Sequence, residues 1–417
     1  MELTEIPEGF KTLLPEEAER RADILSRMER VIKLWGYEPV LPPSVEFLLP
    51  FKAVDDALER LSFKIVDRKT GKLMAIRPDF TTQIARITAS SFRNEEPPLR
   101  FYYRGSVFRD IDEDREFCQF GFELLGAVET EADAEVVAVV VNILEELGLK
   151  SFQIDIGHSL FLEGAVEELG VKEPERLLNL LSHRDMSGVE TFAKEHRITG
   201  ERRRKLLLLT ELYGGEEILD TALSAFENDR SRTAVKQLKD IFSILKSYGF
   251  ERRIIFDLSE KKGMSYHTGV TFEVFHPLLS FSIGAGGRYD QLMGRFGRNL
   301  PATGMAINVD ALQRLLEKKG LPKRPPKDIY IIDLKKELHI AYEVARALRE
   351  KGYTTARDIV RRSPEESVKL AFSRGFRYAV VLNRDREPRH VMFSPSGEQV
   401  ELDPGNIVES ILKHAGG

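Results

Sequence analysis

The stretch from Phe101 to Gly126 constrains this chain more than any other. Phe101-Tyr-Tyr-Arg-Gly-Ser-Val-Phe-Arg109 reads as a strand, Asp110-Ile-Asp-Glu-Asp-Arg115 as a short charged turn, and Glu116-Phe-Cys-Gln119-Phe-Gly-Phe-Glu123-Leu-Leu-Gly126 as a second strand. Strand side chains alternate between faces with a period of two, so Gln119 and Glu123 fall on one face. Arg109 closes the first strand. An arginine opposite a glutamine and a glutamate makes a pocket for a small zwitterion, and the competing reading is an internal ion-pair and hydrogen-bond set within a sheet.

The flanking sequence places this hairpin in an α+β fold. Leu25, Met28, Val31, Ile32 and Trp35 recur at helical spacing behind an acidic start at Pro15-Glu-Glu, which predicts an amphipathic helix over 15–35. The proline-punctuated run from Gly36 to Glu46, including Pro43, suits an edge or interface strand. Phe63 to Asp67 and Leu73 to Ile76 flank Lys69-Thr-Gly-Lys72 as a hairpin, and Arg77-Pro-Asp79-Phe-Thr81 feeds a helix. Residues 130–147 read as a helix and Phe152 to Ile156 as a strand. Strand signals are then absent from about 160 to 248, where leucines sit among charged residues as in a helical insertion. Strands return at Ile254 to Leu258, Thr268 to Phe275 and Phe281 to Gly284, the last followed by a turn, Ala285-Gly-Gly-Arg288-Tyr-Asp290.

Lys318 to Lys327 has the composition of an exposed linker, which divides the chain into 1–317 and 328–417. The second part alternates strand (Ile329 to Asp333), helix (Glu337 to Lys351), strand (Tyr378 to Leu382), strand (His390 to Phe393) and helix (Ile407 to Lys413). That order predicts a small α/β domain with a largely parallel sheet.

Composition narrows the function. With 42% hydrophobic and 31% charged residues and no apolar run of membrane-spanning length, the chain reads as a soluble globular protein. A single cysteine, Cys118, points to a reducing compartment, and a cytoplasmic location is expected. The formal charge of −5 gives no electrostatic footprint for a polyanion, so tRNA binding is not expected. No histidine or cysteine spacing indicates a metal, and no cofactor is expected.

Four segments in order carry a family resemblance: Arg77-Pro-Asp79-Phe-Thr81, the Arg109 to Glu123 hairpin, Gly263-Met-Ser-Tyr266-His267-Thr-Gly with the strand to Glu273, and Ala285-Gly-Gly-Arg288-Tyr-Asp290. Together they resemble the histidyl-tRNA synthetases, class II aminoacyl-tRNA synthetases with an antiparallel sheet flanked by helices. Residues 328–417 resemble the anticodon-binding domain of that group. The resemblance implies a free-histidine site. Asp79, Thr81 and Gln119 would hold the α-ammonium, Arg109 the α-carboxylate through its fork of donors, and Glu123 and Tyr266 the imidazole, with His267 beside them. Asp79 also suits a helix cap, and Arg288 is equally suited to an anionic ligand or to bracing its hairpin.

Departures from the synthetase pattern point away from catalysis. Lys262 stands where a synthetase has the arginine that assists attack on ATP, and Ala311, in Gly304-Met-Ala-Ile-Asn308-Val-Asp310-Ala311, stands where an arginine would hold the γ-phosphate. The turn between the hairpin strands is short, and four of its six residues are acidic. The pattern resembles the regulatory subunits of short-form ATP phosphoribosyltransferase, which implies no catalytic residues. It also implies association with the small catalytic subunit, feedback by L-histidine, and a homodimer within a larger hetero-oligomer. A divergent active histidyl-tRNA synthetase is the alternative.

Overall fold

A computed structural model describes residues 3–111, 113–259, 266–320, 327–334, 338–360, 362–384 and 387–415. The chain divides into two compact units, Met1–Leu321 and Pro322–Gly417.

The hairpin is the spine of the first unit. Strands Leu99–Phe108 and Glu116–Leu125 pair antiparallel, with Phe101 opposite Glu123, Tyr103 opposite Gly121 and Gly105 opposite Gln119. From the second of these the sheet continues antiparallel through Ala302–Asn308, Gly284–Arg288, Val270–Phe275 and Gln153–His158. Ile254–Asp257 adds in parallel, Tyr213–Gly214 caps that edge, and Glu38–Pro39 lies parallel to Leu99–Phe108 at the other. Of the prolines in the 36–46 stretch, Pro39 lies in this edge strand, where the lost donor does no harm, and Pro42 and Pro43 lie in the loop beyond it.

Period-2 alternation sorts the sheet into two faces. Cys118, Phe120 and Phe122 point to the main core, beneath helices Pro15–Leu34 and Thr130–Glu146, with Met28, Ile32, Val137 and Val140 against them. Gln119 and Glu123 point the other way, toward a second cluster that includes Phe80, Tyr103, Tyr266 and Tyr289. That second face also carries a three-stranded sheet (Val45–Phe47, Leu73–Ile76, Phe63–Val66) and helix Thr81–Ser90.

Two expectations change. Residues 284–288 form a strand, where the sequence reads as a turn. The glycines are there for close approach: a Cβ on Gly286 would fall 2.1 Å from the Gly304 carbonyl oxygen of the neighbouring strand. The segment from 160 to 248 is helical, as expected, except for the two-residue strand Tyr213–Gly214.

The second unit has a five-stranded sheet in the order Thr355–Arg357, Lys327–Asp333, Phe376–Leu382, Val391–Phe393, Gln399–Glu401. The first three are parallel and the last two antiparallel, so the sheet is more mixed than the strand–helix alternation implies. Helices Leu338–Glu350 and Ile407–Ala415 cover one face; Pro364–Ser373 covers the other and was not anticipated.

Candidate functional site

A cavity of about 260 Å³ opens on the second face of the large sheet. Asp79, Thr81, Arg109, Gln119, Glu123, Tyr266 and His267 all line it, drawn together from segments almost 190 residues apart in sequence. Lys262 lies outside the described residues.

The floor is built by glycine. Gly284, Gly286 and Gly304 present bare backbone to the cavity, and a Cβ on Gly304 would fall 1.6 Å from Glu123 Oε2. Any side chain there would evict the carboxyl group.

Glu123 lines the cavity and is 1% exposed. Its Oε1 accepts from the Thr81 hydroxyl at 3.0 Å and from the Tyr103 hydroxyl at 3.0 Å, while Oε2 accepts from the Tyr289 hydroxyl. Burial pushes its pKa up to about 8, because three neutral donors only partly replace water around a carboxylate. Burial likewise keeps Tyr103, Tyr266 and Tyr289 protonated well above the ordinary phenol range. The rings of Tyr266 and Tyr289 meet edge to face at 5.9 Å, and His267 lies beside Tyr266 at 5.0 Å.

Asp79 and Gln119 offer further acceptors to the cavity. Asp79 Oδ2 accepts from the Thr82 backbone N–H at 3.0 Å and the Thr82 hydroxyl at 3.2 Å, so it does cap the helix while also lining the cavity. Burial raises its pKa, with Thr82 and the Arg109 charge opposing. Gln119 Oε1 is buried with no hydrogen-bond partner among the described residues. An orphaned acceptor of that kind is costly unless a donor from a ligand or water fills it.

Arg109 follows the first hairpin strand directly. Its Nε donates to the Pro78 carbonyl oxygen at 3.2 Å and its guanidinium lies 5.2 Å from the centre of the Phe117 ring. The turn beyond it is tied down: Arg109 N–H donates to the Arg115 carbonyl oxygen at 2.9 Å and Arg115 N–H to the Gly9 carbonyl oxygen at 2.9 Å. Arg115 lies over the rings of Phe10 and Phe63, which pack on each other, and pairs with Asp110, and Asp114 pairs with Arg314 at 2.6 Å. The turn's negative charge is therefore partly compensated, which the bare count of acidic residues does not reveal.

Arg288 braces the fold. It holds buried Asp133 Oδ2 at 2.8 and 3.1 Å and donates to the Ala127 and Glu129 carbonyl oxygens. Ala311 is 1% exposed, its N–H capped by Asn308 Oδ1 at 3.1 Å, and Asp310 beside it pairs with Arg21 and accepts from the Cys118 N–H at 2.7 Å.

Tyr103 and Tyr289 were missed as site residues. Tyr103 carried a usable signal, since it is two residues from Phe101, which pairs with Glu123, and must share that face. Tyr289 follows a strand that reads as a turn, so its direction carried none. Among the described residues no group of three or more His, Cys, Asp or Glu could hold a metal ion, and no helix is long and apolar enough to cross a membrane.

The family model for histidyl-tRNA synthetase matches residues 9–312. An ATP phosphoribosyltransferase regulatory subunit from Syntrophotalea carbinolica is 35% identical over 94% of this chain and 94% of its own length. One from Geobacter metallireducens is 37% identical over 88% of this chain and 86% of its own. Among solved structures, an ATP phosphoribosyltransferase regulatory subunit/histidyl-tRNA synthetase from Bacillus halodurans matches with a TM-score of 0.83 at 29% identity, covering 91% of this chain and 98% of its own. A histidyl-tRNA synthetase from a Nostoc species shares the fold, with a TM-score of 0.83 at 23% identity over 99% of this chain and 100% of its own.

The fold defines a class II aminoacyl-tRNA synthetase-like protein with a cavity on one face of its large sheet. Within that class the chain belongs to the family of the ATP phosphoribosyltransferase regulatory subunits.

Proposed function

We propose that the cavity binds free L-histidine and that the chain acts as a non-catalytic regulatory subunit, joining a short-form ATP phosphoribosyltransferase catalytic subunit and conveying feedback by histidine to the first step of histidine biosynthesis. The α-carboxylate goes to Arg109, the α-ammonium to Asp79, Thr81 and the orphaned Gln119 Oε1, and the imidazole to the end formed by Glu123 and Tyr266, with His267 beside it. Each charge-assisted hydrogen bond contributes roughly 1.5 to 3 kcal/mol, so three or four suffice for micromolar affinity, about 8 kcal/mol.

One observation carries the regulatory reading. Lining suited to an amino acid lies in the same compact unit as Ala311, a buried methyl where a synthetase places the arginine for the γ-phosphate. Loss of one preorganised donor at a developing charge typically costs about 3 kcal/mol, and the turn after Arg109 is short and tied to Gly9 and Arg314. Histidine-dependent exchange of pyrophosphate into ATP tests this. The purified chain is expected to bind histidine in a calorimeter and to give no exchange above background; sustained exchange would mean an active synthetase.

A further inference from the structure

The imidazole end of the cavity does not balance its charge without a proton. Among the described residues Glu123 takes its hydrogen bonds from neutral hydroxyls: Tyr103 from the hairpin strand, Thr81 from the helix and Tyr289 from the segment after Gly284–Arg288, with the Asp79 carboxyl near enough to raise its pKa further. Strand Ala302–Asn308 offers bare Gly304 beneath it. The other titratable or charged groups lining the cavity among the described residues are Asp79, Arg109, Tyr266, His267 and Tyr289. Arg109 is the one lysine or arginine among the described lining residues.

If this cavity is the histidine site proposed above, on which the inference rests, Arg109 is neutralised by the ligand carboxylate and Asp79 by its ammonium. Glu123 and the imidazole are left as a pair. An ionised carboxylate against a neutral ring leaves a buried negative charge, and a protonated carboxyl against an imidazolium leaves a buried positive one; either is costly.

We propose that the filled cavity holds a single proton between Glu123 and the ligand ring, so the site selects an amino acid whose side chain shares a proton. No bond other than this hydrogen bond is made or broken, and the proton comes from Glu123 of the empty cavity or from the ligand. The consequence is a bell-shaped affinity. On the alkaline side the empty cavity loses its proton above about 8, and binding must then take one up from solvent. On the acid side, below the free ring's ordinary value of about 6.5, the ligand arrives as imidazolium and one proton must leave. Each limb falls up to about tenfold per pH unit.

Calorimetry on the full chain in pairs of buffers with different ionisation enthalpies measures the protons directly. Expected are release of close to one proton at a pH of about 5.5, none near 7.2, and uptake on the alkaline side. Glu123→Gln should keep the acid limb and lose the alkaline one, and the wild-type to variant affinity ratio cancels the titration of the ligand's own α-ammonium. Triazolylalanine, whose ring is far less basic, should bind the wild type without the acid limb, which keeps the test independent of any variant's folding. Histidine binding with buffer-independent heat and constant affinity across this range would overturn the shared proton while leaving the histidine site standing. No binding near neutrality would overturn the site itself and this inference with it.

Discussion

Gly304 lies directly beneath Glu123, so close that a Cβ there would fall 1.6 Å from the carboxyl oxygen. The carboxyl group owes its position to the absence of a side chain on the next strand. Gly304→Ala should therefore displace Glu123 and weaken calorimetric histidine binding at least a hundredfold, while overpacking destabilises the fold by only about 1 to 3 kcal/mol. Wild-type affinity in a folded Gly304→Ala protein would show that Glu123 does not hold the ligand.

Arg109→Lys keeps the charge at the carboxylate pole and loses the fork. Affinity for histidine should fall by about 1.5 to 3 kcal/mol, roughly 10- to 150-fold, with the thermal midpoint little changed. Equal affinity would place the α-carboxylate elsewhere.

Arg288 and Asp133 predict the opposite split. The pair is buried, and Arg288→Met strands a carboxylate whose pKa burial already raises. Urea unfolding should show a loss of about 3 to 5 kcal/mol, with much of it recovered in Arg288→Met combined with Asp133→Leu. No recovery in the double variant would mean that the bonds from Arg288 to the Ala127 and Glu129 carbonyl oxygens carry the stability instead.

Two buried groups set a pH signature on the empty protein. Folded Glu123 holds its proton to about 8 where the unfolded chain releases it near 4.5, so its contribution is lost as pH rises through that window. Burial lowers His158 from 6.5 to about 4, so its contribution is lost as pH falls through that one. The two slopes oppose each other between about 4.5 and 6.5, and above 6.5 the His158 slope has ended while the Glu123 slope continues to about 8, at up to about 1.4 kcal/mol per pH unit. Chemical unfolding should show stability declining from pH 6.5 to 8 in wild type and level in Glu123→Gln. An equal decline in both would assign it to another group.

Much of this architecture is written in local patterns. The hairpin could be read because alternation alone puts Gln119 and Glu123 on one face, and helix Pro15–Leu34 because its apolar stripe and acidic first turn agree. What escaped depends on neighbours that are distant in sequence. Gly284–Arg288 reads as a turn because glycine usually marks one, and only the approach of Gly304 explains it as a strand. Helix Pro364–Ser373 was legible and overlooked: Ser363-Pro-Glu-Glu366 is a capping box, with Ser363 and Glu366 each bonding the other's backbone N–H. The compensation of the acidic turn by Arg314 and Arg115 could not be read at all, since Arg314 comes from 200 residues away.

The central claim is that a synthetase-like core has become a histidine-responsive subunit. Its most direct test is the rate of ATP and phosphoribosyl pyrophosphate turnover by a short-form catalytic subunit, measured with and without this chain across a histidine titration. Adding the chain is expected to raise the rate, histidine is then expected to lower it, and Asp79→Asn is expected still to raise the rate but to blunt the inhibition. An unchanged rate on mixing, or inhibition identical with Asp79→Asn, would contradict that claim.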